Sequence, residues 1–321
     1  MNAAPDLSLV IVTHNSGDVI GPCLDSIAAG AGGRSVEVLV VDNASTDATC
    51  AIVAARPGVT LVRHRANLGF AAGCNVGLRV GRGRELLLLN PDTTLTPGVL
   101  ARLVDALTRF PEVGLVGASL VSPSEGTIRP ALHRWPSLGR MFVHHTPLKI
   151  IEHWRERAWR PSADTPTTDG YLTGACLLVR RALLDQIGPL DDRYFFYLED
   201  VDYSRRTVLS GWKLLWAKDA AVHHQGGAGA GPIDTAWRHW QFLSGARRYF
   251  GSTRWAPGFA VTWTLFKLLH LADLALIALE SGSKRWVYAA LGRRANADKH
   301  GRRWRLASSF LGRFAWRFSR W

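Results

Sequence analysis

Between Leu7 and Val121 the chain alternates short, almost uninterrupted apolar runs with longer segments of helical spacing. Ser8–Val12, Val36–Val41, Val59–Arg63 and Glu85–Leu89 read as strands, and Val19–Ala29, Ala48–Ala55, Phe70–Val80 and Pro97–Phe110 as helices. Strands that lack polar alternation are covered on both faces, and strands separated by helices run parallel. The pattern predicts an α/β fold, a mostly parallel sheet with flanking helices. Such sheets bind ligands beyond the carboxyl ends of their strands. Polar clusters fall at three of those ends: Thr13-His14-Asn15, Asp42-Asn43 and Asn90-Pro91-Asp92.

From 122 to 170 the pattern weakens, and this excursion is expected to contain a mobile, substrate-facing segment. Order resumes at Tyr171–Val179, followed by a helix over Arg180–Ile187, a helix ending near Gly211, a strand at Lys213–Trp216 and a strand-like stretch at Asp219–Val222. A glycine run, Gly226–Gly231, closes the domain, so residues 1–231 are expected to form one domain and 232–321 a helical, basic appendage. Met1–Asp6 lacks a basic n-region, so no signal peptide is expected. Four scattered cysteines with no CxxC pair argue against zinc and disulfide frameworks and fit a reducing cytosol.

The appendage carries most of the charge. Residues 281–321 hold eleven Lys and Arg against Asp298 alone, a net of +10, while the first 280 residues carry only +3. A nucleic-acid partner would require basic residues on the ordered domain with exposed aromatics, and the distribution speaks against it. Phe259–Leu279 is long enough to span a bilayer, but Lys267, His270 and Asp273 recur along one side, which suits an in-plane or protein-packed helix. Trp304, Ala307, Leu311, Phe314, Phe318 and Trp321 share one helical face, with arginines mainly on the other. That combination favours an anionic membrane surface.

Glu199, Asp200 and Asp202 lie beside Tyr194, Phe195, Phe196 and Tyr197. Desolvation by such neighbours raises a carboxyl pKa and makes a general base that works near neutrality; a helix start with acids near the positive dipole end explains the same residues. Asp42, at a strand end, can accept a hydrogen bond from an imide N–H, whereas Ser45 or Thr46 is expected to cap the next helix. Gly69 and Gly73 permit close backbone approach at a helix N-terminus that can face phosphate or a sugar. Asp92 follows a buried strand and can hold a divalent cation, or form a turn. His224, before the glycine run, is a ready ligand for Mn²⁺.

The ordered set Val-Thr-His-Asn15, Val-Val-Asp-Asn-Ala-Ser-Thr-Asp47, Asn67-Leu-Gly-Phe70, Leu-Leu-Asn-Pro-Asp92, Thr173-Gly-Ala175, Tyr197-Leu-Glu-Asp-Val-Asp202 and His224-Gln-Gly-Gly227 resembles glycosyltransferase family 2. It is most similar to the bacterial rhamnosyltransferase branch. The resemblance implies a GT-A fold, Rossmann-like, over about residues 7–227, and an inverting reaction from a nucleotide-sugar donor. It implies Asp200 as the base, Asp42 on the nucleobase, Gly174 on the acceptor side, and Asp92 and His224 on Mg²⁺ or Mn²⁺. Thr13, Asn15, Asn67, Gly69, Asn90 and Glu199 would complete the substrate contacts. The family's Asp-x-Asp appears here as Asn90-Pro91-Asp92, leaving one carboxylate for the metal. The implied acceptor is a polyprenyl-diphosphate-linked glycan at the cytoplasmic face of the plasma membrane, with the enzyme peripheral. L-Rhamnose from dTDP-rhamnose is the expected donor; a polyprenyl-phosphate sugar transferase, another UDP-sugar transferase and a nucleotide-sugar binder without activity stay open.

Overall fold

Seven residues of β1 (Leu7–Thr13) are all buried, and the strand sits in the middle of a parallel group. It pairs in parallel with β2 (Val36–Asp42) on one side and β4 (Glu85–Leu89) on the other, and β2 pairs in parallel with β3 (Val59–Arg63). The computed structural model describes residues 3–123, 126–137, 159–226 and 235–252, with 264, 268, 279–284, 286, 287, 304 and 308.

Both faces of this group are covered. Leu7, Leu9 and Ile11 join Ile20 and Leu24 of α1 (Gly17–Asp25), Ile27 of α2 (Ile27–Ala31) and Val53 of α3 (Thr49–Ala54) in one core cluster. Val10 and Val12 point the other way, towards α4 (Phe70–Val80), where a Cβ on Gly77 would lie 2.2 Å from Val10. Only glycine lets the helix approach so closely.

The single helix expected over Val19–Ala29 is two helices. Ser26 interrupts it: its hydroxyl donates to the Cys23 carbonyl at 2.7 Å and accepts from Leu95 N–H at 3.0 Å, diverting the turn toward a neighbouring strand. That neighbour is β5 (Thr93–Leu95), three residues too short to show a period. After α5 (Val99–Arg109) comes β6 (Val113–Val121).

The sheet is mixed. β10 (Cys176–Arg180) inserts antiparallel between β4 and β6, while β11 (Lys213–His224) runs parallel to β6 and antiparallel to β5. Among the described residues the strand order is β3-β2-β1-β4-β10-β6-β11-β5, with β7 (Ile128–Arg129) added on β6. The two stretches expected at Lys213–Trp216 and Asp219–Val222 are one strand with a register shift between Ala217 and Ala221. Ser119 donates to the Lys218 carbonyl that the shift frees. β11 continues through His223 and His224, which therefore belong to the sheet rather than to the loop beyond it.

Part of the weakly patterned stretch is ordered as well. β8 (Leu132–His133) pairs antiparallel with β9 (Tyr171–Leu172) in a separate two-stranded sheet. α6 (Arg181–Ile187) and α7 (Glu199–Leu209) follow. The chain divides into one unit of residues 1–135 and 160–233 and a second of 136–159 and 234–321. α8 (Thr235–Ser252) belongs to the second. The expected helical readings at 259–279 and 304–321, and the glycine run after Gly226, lie outside the described residues apart from isolated positions. Among the described residues no helix is long and apolar enough to cross a membrane.

Candidate active site

Four loops at one end of the sheet bring the predicted residues together. On the first, Thr13 and Asp42 are register partners on β1 and β2. The Asp42 carboxylate, 1% exposed, accepts from the Thr13 hydroxyl at 3.1 Å and from Ser45 N–H at 3.0 Å. Asn15, in the left-handed region with φ 52°, donates its N–H to the Ser45 hydroxyl at 2.8 Å, and its side-chain oxygen accepts from Thr46 N–H at 2.8 Å. Ser45 and Thr46 are thereby taken up, and neither caps α3 as expected. Asp47 does that work, accepting from Thr49 N–H at 3.0 Å and from Gly17 N–H at 2.9 Å. Burial would raise the Asp47 carboxyl, but these hydrogen bonds outweigh it and hold the group below its usual value.

The second loop is a brace. Asn67 accepts from Gly69 N–H at 2.9 Å, and Phe70 N–H, the first of α4, donates to the Phe195 carbonyl at 2.8 Å. Gly69 has φ 90°, and a Cβ there would lie 2.5 Å from the Phe195 oxygen. The leading N–H of α4 is thus bound to protein rather than open to a ligand. Asn43, to which the sequence assigns no individual role, donates its amide to the Gly69 carbonyl at 2.9 Å and so ties this brace to the first loop. The sequence signal for it was its place directly after Asp42 at a strand end.

The third loop carries Asn90-Pro91-Asp92. Asp92 is 4% exposed, and its Oδ1 lies 3.3 Å from His224 Nε2. The Asn90 amide nitrogen is 3.4 Å from the same imidazole nitrogen. Antiparallel pairing of β5 with β11, in which Thr93 faces His224, makes this meeting possible. Among the described residues no group of three or more His, Cys, Asp or Glu side chains could hold a metal. Asp92 and His224 offer one hard carboxylate oxygen and one imidazole nitrogen, donor types that suit a divalent cation.

The fourth loop presents the acids. Tyr197 and Leu198 have φ 73° and 69°, a costly conformation for side-chain-bearing residues, immediately before Glu199 opens α7. Glu199 is 6% exposed, and its Oε2 has no hydrogen-bond partner among the described residues. Burial, then the Asp200 charge, pushes Glu199 up to about 8. Asp200 is half-buried, and its Oδ2 accepts from Gly174 N–H at 2.9 Å and its Oδ1 from Val201 N–H at 2.8 Å. Burial raises Asp200 above the ordinary carboxylate range against the pull of these N–H groups. Asp202 instead pairs with Arg206 at 2.9 Å, one turn on, and the arginine also donates to the Pro189 carbonyl.

Consecutive residues connect the third and fourth loops. Gly174 N–H holds Asp200, while the Ala175 carbonyl accepts from Asn90 N–H at 2.9 Å. A carboxylate of raised pKa and a carboxylate–imidazole pair therefore hang from one short backbone segment.

Residues 8–188 match the model for glycosyl transferase family 2. The chain belongs to that family. Over 236 residues this glycosyltransferase is 35% identical to an N-acetylglucosaminyl-diphospho-decaprenol L-rhamnosyltransferase of Mycobacterium tuberculosis, a match covering 68% of this chain and 75% of the relative. Its fold is similar to that of mannosyltransferase PcManGT from Pyrobaculum calidifontis, solved with GDP-Man and Mn²⁺, with a TM-score of 0.54, 19% identity and coverage of 97% of this chain and 88% of that one. The S. aureus TarS 1-349 structure with UDP aligns at a TM-score of 0.52 and 16% identity, over 94% and 91% of the two chains. The GT-A-like architecture expected from the sequence is that of this glycosyltransferase.

Proposed function

We propose that this glycosyltransferase moves L-rhamnose from dTDP-rhamnose to a sugar carried on polyprenyl diphosphate, with inversion at the anomeric carbon. The observation that carries the reading is the Gly174–Ala175 segment, which holds Asp200 on one side and the Asp92–His224 loop on the other. A base and a diphosphate site so joined suit a single displacement. The choice of donor and acceptor leans on the mycobacterial relative.

In this reading Asp200 removes the proton from the acceptor hydroxyl as that oxygen attacks the anomeric carbon. The nucleoside diphosphate leaves from the opposite face. Gly174 N–H takes one of the two lone pairs of Oδ2 and leaves the other for the proton. Asp42 accepts from the Thr13 hydroxyl, Ser45 N–H and the Cys50 thiol, and a carboxylate accepts about four. It retains capacity for the imide N–H of thymine or uracil. A divalent cation bound at Asp92 and His224 supplies positive charge to the leaving diphosphate. The +10 of residues 281–321 would hold the protein at an anionic membrane surface on the cytoplasmic side, where a lipid-linked acceptor lies. The transferase domain over 1–231 and the basic region over 232–321 would divide the work accordingly.

The test is transfer from a panel of nucleotide sugars to a short polyprenyl-diphosphate N-acetylglucosamine, with Mg²⁺ or Mn²⁺ and with chelator. Rhamnosyl transfer that needs the cation and gives inverted product supports the whole reading. Transfer from a UDP-sugar alone replaces the donor, and retained configuration overturns the mechanism.

A further inference from the structure

The two-stranded sheet of β8 and β9 has an apolar side and an aromatic side. Leu132 and Leu172 are fully buried, and Leu172 and Ala131 press on Gly117 of β6, where a Cβ would lie 2.9 Å from Leu172 and 2.8 Å from Ala131. Alternation along a strand sends the next residues to the opposite face. His133 and Tyr171, register partners, accordingly meet there with ring centroids 5.4 Å apart and planes tilted by 31°. The Trp135 ring lies 6.4 Å from Tyr171 at 40°, and its indole N–H donates to the Thr168 carbonyl at 3.1 Å. All three side chains are partly exposed.

This aromatic face is fastened to the acids. Leu172 N–H donates to the Ser204 hydroxyl at 3.1 Å, and Gly174 N–H to Asp200 at 2.9 Å, so β9 and the residues after it lie along one face of α7. Three residues of extended chain reach at most about 10 Å, which bounds the distance from Tyr171 to Gly174. Burial also keeps the His133 imidazole below its usual pKa, so that its ring is neutral at physiological pH.

We infer that His133, Trp135 and Tyr171 form the acceptor subsite, a platform on which the pyranose ring of the acceptor lies with its C–H face against the aromatic rings. The weakly positive C–H groups of a sugar meet the negative faces of the rings, and the polar edge of the sugar stays turned to solvent and to Asp200. The inference rests on the transferase reading for the identity of the sugar, but its binding can be read without turnover.

Farnesyl-diphosphate-linked N-acetylglucosamine serves as the probe with wild type, Tyr171→Ala, Tyr171→Leu, Tyr171→Phe and Trp135→Ala. In the transfer assay the acceptor KM is expected to rise about tenfold for Tyr171→Ala and Trp135→Ala, the loss of roughly one stacking contact. The donor KM stays unchanged, kcat stays within about threefold, and Tyr171→Phe, which keeps the π face, raises the acceptor KM less than Tyr171→Leu. Tyr171→Leu keeps apolar bulk without a π face and is expected to follow the alanine variant. An unchanged acceptor KM in Tyr171→Leu, or an effect on donor KM instead, overturns the platform while leaving the transferase reading intact. Saturation-transfer NMR on the same probe decides the matter if wild type transfers nothing. Saturation of the N-acetylglucosamine ring protons in wild type that is lost in Tyr171→Leu upholds the platform although the transferase reading has failed. No saturation of those protons in wild type overturns it.

Discussion

The loops around Asp42, on the side proposed to take the nucleotide, and the acid-bearing loop hold their carboxylates differently. Around Asp42, polar groups are matched in pairs: Thr13 and Ser45 to Asp42, Ser45 and Thr46 to Asn15, and Gly17 and Thr49 to Asp47. Positive φ occurs on both sides, at Asn15 and Ala44 singly and at Tyr197 and Leu198 in succession, but before Asp200 the buried oxygen with no hydrogen-bond partner among the described residues belongs to a carboxyl, that of Glu199. The first arrangement stabilises a fixed shape. The second spends folding energy to keep two acids out of water, and raised carboxyl pKa values are the result. A carboxylate matched by donors, such as Asp42, holds a fixed shape as an acceptor, whereas carboxyls of raised pKa suit proton transfer.

The largest expected effect is on chemistry. Asp200→Asn keeps the shape and an oxygen for Gly174 N–H but cannot take a proton, and its amide nitrogen replaces the oxygen that Val201 N–H uses. Transfer should fall by about 10²–10⁴-fold, while nucleotide binding, followed by calorimetry, stays near wild type and urea unfolding shows a loss of about 1–3 kcal/mol. A variant that loses nucleotide affinity as well would show that the two regions are not separable.

Next come two glycines that separate scaffold from site. Gly69→Ala forces a Cβ to within 2.5 Å of the Phe195 oxygen at φ 90°, and should destabilise the fold by about 2–4 kcal/mol. Gly174→Ala places its Cβ 3.5 Å from Asp200, an ordinary contact, and should cost no more than about 1 kcal/mol of stability. Urea unfolding of both variants checks the contrast, and equal losses would remove it. Asp42→Ala should then cost about 1–3 kcal/mol, because the Thr13 hydroxyl and Ser45 N–H lose a buried acceptor. Unlike Asp200→Asn, it should weaken donor binding as well as folding.

Much of this organisation is legible in the residues. Unbroken apolar runs such as Leu86–Leu89 can only be interior strands, and the polar residues that follow them must stand at the sheet's edge, where Asp42, Asn90 and Asp92 are found. Direction is not legible. Cys176–Arg180 is as apolar as its parallel neighbours, yet it runs antiparallel between β4 and β6 because of where the intervening chain delivers it. Two- and three-residue strands such as β5, β8 and β9 carry no period, so the meeting of His133 with Tyr171 could not be read ahead, and that of His224 with Asp92 followed only from the family resemblance. Asp202 looked equivalent to its acidic neighbours, and only the turn of α7 hands it to Arg206.

The smallest effect per step tests the strained loop itself. Glu199 titrates at about 8 in the folded chain against 4.5 for an unperturbed glutamate. Between those values the native state holds a proton that the unfolded chain has released, so stability falls as pH rises through the window. The slope is at most about 1.4 kcal/mol per pH unit for one proton. The groups facing the carboxyl are Asp200 on α7 and the buried Cys74 thiol on α4, whose own pKa lies well above its usual value. Since Cys74 stays neutral throughout, the titration is that of the Glu199–Asp200 pair. Glu199→Gln, a neutral isostere, should flatten the fall in thermal midpoint from about pH 5 to 8 and leave the midpoint near pH 5 close to wild type. Asp200→Asn should leave a fall in place but move it to lower pH, since the neighbouring charge that helps to raise Glu199 is gone. If Glu199→Gln keeps the wild-type slope, the carboxyl is already ionised in the native state. The acid-bearing loop would then be as well satisfied as the nucleotide side.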